Sequence, residues 1–158
     1  VLSADGWRRY LTRAAELAPP DLLAWLHRDG YNGSMADPVA VALDHVRAAC
    51  FALPEVTERL SHGSPTFFIR DKKTFVMFLN DHHGDGRLAL WVAAAPGVQA
   101  ELVDEEPERF FVPPYVGHRG WLGVRLDRSP DWAEVAGICD DAYRQVAPKT
   151  LVARLDTD

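Results

Sequence analysis

A chain of 158 residues is long enough for one well-packed domain with an accessory segment, and too short for two full domains. Its 47% hydrophobic and 25% charged residues are the balance of an ordinary globular protein. The net charge of −6, from 17 basic and 23 acidic residues, weighs against a dedicated nucleic-acid binder, although local basic patches remain compatible with it. No apolar run is long enough to span a bilayer, and the first residues lack a basic-then-apolar leader pattern. The expected location is therefore cytoplasmic, with no membrane partner, and the Asn32-Gly33-Ser34 triplet reads as a turn rather than a glycosylation site.

Residues 1–34 read as a helical arm. Ser3 can cap a helix carrying Trp7, Leu11 and Leu17, which Pro19-Pro20 ends. Asp21 starts a second helix with Leu22, Leu23, Trp25 and Leu26, closed by Gly30. Met35 stands just before a clean helix start, and a compact domain over 35–158 is expected from there.

In that domain, Asp37 at an N-cap and Pro38 at the first helical position open a helix. Val39, Leu43, Val46 and Cys50 give it an apolar stripe, and Pro54 stops it. After a connecting stretch containing Ser61 to Pro65, Thr66–Arg70 and Thr74–Leu79 read as two strands around a turn at Asp71-Lys72-Lys73. A third strand runs from Leu88 to Val92. Phe67, Phe68, Phe75, Phe78 and Trp91 put aromatics on both faces of these strands in either register. A second face that is apolar must meet something, and the arm with Trp7 and Trp25 is the expected cover. A short helix follows Pro96-Gly97, then an acidic run reaching Glu108 that reads as a solvated face. Phe110–Val112 and Trp121–Leu126 read as strands, and Asp131 opens a last helix that Pro148 ends. Cys50 and Cys139, each in a predicted helix, read as buried thiols. The expected architecture is α+β, an antiparallel sheet with helices mainly on one face.

Four segments read in order carry a resemblance: Leu53-Pro54-Glu55-Val56, His62-Gly63-Ser64-Pro65-Thr66-Phe67, Tyr115-Val116-Gly117-His118-Arg119-Gly120-Trp121 and Val146-Ala147-Pro148-Lys149. Over about residues 37 to 152 the chain resembles the MmcQ/YjbR family. That resemblance implies a CyaY-like, frataxin-like α+β fold. It also brings the suggestion made for a relative, DNA binding through a double-wing arrangement of hairpins.

The residues offer several chemistries. For DNA, Arg70, Lys72 and Lys73 would form one basic hairpin tip, with His118 and Arg119 between two glycines as the second. The alternative is a small-molecule or protein-interaction module, using either the aromatic sheet face or a cleft near residues 62–65 and 115–121. His62, Ser64, Tyr115 and Trp121 are the candidate cleft residues. Asp81-His82-His83-Gly84-Asp85-Gly86 lacks the ligand set of a calcium loop, and adjacent histidines in a strand would point apart, so it reads as a polar hairpin loop. No nucleophile elbow, P-loop or dinucleotide fingerprint is present, and neither a catalytic residue, a metal nor a cofactor is assigned. A noncatalytic binding protein is the expectation, as a monomer or a homodimer.

Overall fold

A computed structural model of the protein describes residues 37–157. The expected helical pair, the Asn32 turn, the domain start at Met35 and the covering of the sheet by the arm lie outside the described residues. Helix α1 (Pro38–Phe51) begins where the Asp37 carboxylate accepts the Val39 N–H at 3.0 Å, with Pro38 at a position that needs no donor. Its buried stripe is Ala42, Val46, Ala49 and Cys50.

The chain then forms β1 (Val56–Ser61), β2 (Ser64–Ile69), β3 (Lys73–Asn80) and β4 (Leu88–Val92). Helix α2 (Val98–Glu105), β5 (Phe110–Phe111) and β6 (Leu122–Arg125) follow, and α3 (Trp132–Val146) and α4 (Lys149–Leu155) close the chain. The six strands make one sheet in the order β1-β2-β3-β4-β6-β5, antiparallel throughout. The segment read as a connector before Ser61 is strand β1. Its sequence, VTERLS, has no apolar alternation because it is an edge strand with polar residues on both sides. The tail after Pro148 is the helix α4, anchored by the buried Leu151.

Both tight turns of the β1–β2–β3 meander have two residues in the left-handed region. His62 and Gly63 have φ 51° and 80°, and Arg70 and Asp71 have φ 53° and 57°. Such turns match the twist of the flanking strands. A bulge leaves Phe75 without a partner in the β2–β3 ladder, whose pairs step from Phe67↔Val76 to Phe68↔Thr74.

Beyond the bulge the faces sort cleanly. Phe67, Val76, Leu90 and Val124 lie on the face that meets the helices. Phe67 meets Phe51 of α1 edge-on, and Phe75 meets Tyr143 of α3 at 5.6 Å. The Tyr143 hydroxyl donates to the Pro54 carbonyl at 2.7 Å, tying α3 to the end of α1. Cys50 and Cys139 are free and buried together between these helices, and burial pushes the Cys50 thiol well above its usual range. The expected α+β fold with helices on one face is present. The opposite face of the sheet carries the site.

Candidate functional site

The row Thr66, Met77, Trp91 and Gly123 runs across four strands on the face away from α1 and α3. Ser64 and Leu79 belong to the same face by the two-residue period. Ser64, Thr66, Met77, Leu79 and Trp91 of this face, with Ser61, His62, His82, His83, Tyr115 and Val116, line a pocket of about 740 Å³. That volume is in the range of small-molecule sites. The floor is apolar, with Met77, Leu79 and Trp91; hydroxyls and imidazoles form the rim. Among the described residues no Asp, Glu, Lys or Arg lines the pocket.

Three turns bring the rim together. The His62-Gly63 turn places His62 beside the mouth. In the β3–β4 loop, Asp81 and His83 adopt φ 52° and 50°, so the chain bends and both histidine rings come to the pocket. His82 stands 4.1 Å from His83, 4.9 Å from Trp91 and 6.1 Å from Tyr115 by ring centroids. The stretch is a loop, as expected, and its 3-10 turn brings the two histidines to one pocket where a strand would have pointed them apart. Its carboxylates close the loop: Asp81 accepts from the Gly86 N–H and Asp85 from the Arg87 N–H. Among the described residues no group of three His, Cys, Asp or Glu is placed to hold a metal ion.

Tyr115 comes from the far side of the signature segment. Gln99 of α2 pins that segment by donating to the Gly117 carbonyl at 2.8 Å and the Trp121 carbonyl at 2.6 Å. Gly117 is required there, since a Cβ would stand 2.6 Å from Val112 Cγ1. Tyr115 itself has φ 64°, a conformation costly for a bulky residue, and its side chain is largely exposed.

Two buried polar atoms on this face have no hydrogen-bond partner, Trp91 Nε1 and His82 Nε2. Trp91 is only 4% exposed. An indole N–H is a donor only, and leaving it buried and unpaired costs roughly 1–3 kcal/mol.

A second depression of about 510 Å³ adjoins the first, sharing Met77 and Val116. Lys72, Lys73, Arg119 and Trp121 line it, with Thr74, Gln145 and Val146. Of the candidate cleft residues, His62, Ser64 and Tyr115 thus share the larger pocket, while Trp121 belongs to the neighbouring one, with Arg119 over its ring at 5.5 Å. Of the candidate phosphate contacts, Lys72, Lys73 and Arg119 converge. Arg70 does not join them: it forms a two-point pair with Glu55 at 3.2 and 3.1 Å, which holds the Glu55 carboxyl below its usual range. His118 is exposed and lines neither depression. Met77 and Leu79 join the site without being candidates in the sequence reading, Trp91 enters from the aromatic sheet face, and His82 and His83 enter from the loop read as a polar hairpin. The signal that exposes them is the strand register, which a run of apolar residues does not contain.

A family model described as YjbR matches residues 51–145. A comparison with curated proteins finds no match. Among solved structures, the chain is similar to the crystal structure of Deinococcus radiodurans protein DR2400, a DUF419 domain. The likeness has a TM-score of 0.58 at 17% identity and covers 73% of this chain and 88% of that one. At that identity it speaks for the fold alone.

Proposed function

Because the chain belongs to the YjbR family, and the described residues form a pocket on the sheet face opposite α1 and α3, we propose that it is a small-molecule-binding protein. Its site is the pocket floored by Met77, Leu79 and Trp91. The observation that carries this reading is the buried Trp91 indole N–H, which lacks an acceptor while its side chain lines a cavity of about 740 Å³. A ligand acceptor would satisfy it. The test is a fragment set titrated into the full chain while the Trp91 indole N–H resonance is followed, assigned by Trp91→Phe. The reading expects several fragments to move that resonance, and a set in which none does contradicts it.

Duplex DNA is the second reading, favoured by the convergence of Lys72, Lys73 and Arg119 on one depression. With three phosphate contacts, log K against log salt would have a slope of about −2.7. No binding at low salt removes it.

A further inference from the structure

We infer that the ligand of this site is an anionic aromatic small molecule, its planar ring lodged beside Trp91 and its anionic group against Lys72, Lys73 and Arg119. The inference rests on the small-molecule reading and gives the ligand its chemistry. The larger depression is lined by four rings, those of Trp91, His82, His83 and Tyr115, and among the described residues by no Lys, Arg, Asp or Glu. Planar rings are held by such faces in offset or edge-on contact. The Trp91 N–H, buried and without an acceptor, would gain one from a polar atom on the ligand ring.

The smaller depression is its electrostatic complement. Lys72, Lys73 and Arg119 line it, and among the described residues no Asp or Glu does. Among the described residues these three form no ion pair, whereas Arg47, Arg59, Arg70, Arg109, Arg125 and Arg144 are each committed to a carboxylate. Three like charges around one depression repel one another, and an anion placed among them removes that cost.

The two depressions meet at Met77 and Val116. From Met77 to Lys73 is four residues of strand, a span of about 13 Å. One molecule of mononucleotide size reaches both ends. A phosphate or carboxylate lacking the ring would use only the smaller depression, and an uncharged ring only the larger.

The experiment uses matched pairs that differ by one phosphate: riboflavin and riboflavin 5′-phosphate, adenosine and adenosine 5′-monophosphate, 1-naphthol and 1-naphthyl phosphate. Octanoate is added as a non-aromatic anion. Affinities are measured on the full chain at low and high salt, with the Trp91 indole resonance reporting occupancy of the pocket. In at least one pair the phosphorylated member should bind about tenfold tighter, and the excess should vanish at high salt. Lys72→Ala, Lys73→Ala and Arg119→Ala combined should remove the excess and leave the neutral partner's affinity unchanged. Tyr115→Ala, at an exposed position, should weaken both members. Equal binding within every pair, or octanoate alone moving the Trp91 resonance, overturns the inference while the small-molecule reading stands. Phosphorylated members that bind without moving that resonance overturn it as well. If no compound of the panel moves the resonance, the small-molecule reading falls with it.

Discussion

Gly123 is the residue on which the open sheet face depends most sharply. It pairs with Trp91 on one side and Phe111 on the other, and a Cβ there would stand 2.5–2.6 Å from three atoms of the Phe111 ring. The ring is in turn covered by the Arg87 guanidinium at 4.1 Å. Gly123→Ala should therefore destabilise the fold by about 1–3 kcal/mol in urea denaturation, an overpacking cost. In a Phe111→Ala background the same substitution should cost far less, because the two positions are in contact and their effects do not add. A second residue sets a pH response. His45 stacks on Trp132 at 4.3 Å, and burial lowers its pKa, against the opposing pull of Asp44. The unfolded chain then binds the proton more readily than the folded one, so stability from this group is full above about pH 6.5 and is lost as pH falls toward the depressed folded value. The Glu55 carboxyl, held low by Arg70, works in the same direction, its contribution being lost on acidification below the ordinary Glu value of about 4.3. An NMR titration of the His45 ring should give a midpoint below about 6.5. A midpoint above that value contradicts the assignment.

At the scale of elements, the two left-handed turns decide where the pocket's rim stands. Gly63 has φ 80°, and the space where a Cβ would stand is open, so replacing it costs conformation rather than a clash. Gly63→Ala should lose about 1 kcal/mol in denaturation, and His62→Asn, which suits the left-handed region, should keep the hairpin while removing one imidazole from the rim. Helix α3 depends on its cap: Asp131 accepts from the Ala133 and Glu134 N–H groups, and Asp131→Ala should cost about 1 kcal/mol. Much of this level was legible in the sequence. The Asp37-Pro38 start, the β3 and β4 strands and the Asp131 start all follow from caps, period and punctuation. What was not legible has physical reasons. Strand β1 is a polar edge strand whose pairing with β2, Val56↔Ile69 through Ser61↔Ser64, supplies what its composition does not announce. The bulge at Phe75 comes from packing on Tyr143, a contact 68 positions away that no local pattern encodes. The β3–β4 loop turns its two histidines together through left-handed backbone at Asp81 and His83, which both residue types tolerate but no local pattern specifies.

For the whole molecule, the decisive property is how charge and apolar surface are partitioned over the sheet. One face is closed by α1 and α3, and the other holds a ring-lined cavity whose described lining carries no formal charge; a cationic depression that also reaches Gln145 and Val146 at the end of α3 adjoins it. Among the described residues no helix is long and apolar enough to cross a membrane. With a net charge of −6, the protein as a whole repels a polyanion, and the arginines that would widen a phosphate-binding stripe are paired with acids, Arg70 with Glu55 and Arg59 with Asp71. The sequence pointed to both halves of the site separately: the 62–65 and 115–121 segments as a cleft, and Lys72, Lys73 and Arg119 as phosphate contacts. Their adjacency across Met77 and Val116 is a consequence of strand order, which a single sequence does not display. The central claim is that Trp91 stands at the base of a ligand site, and its indole N–H is the atom to watch. In a titration of the full chain with small aromatic fragments, a specific, saturable shift of that resonance, lost in Trp91→Phe, is the predicted result. A resonance that stays fixed across the set would contradict the account.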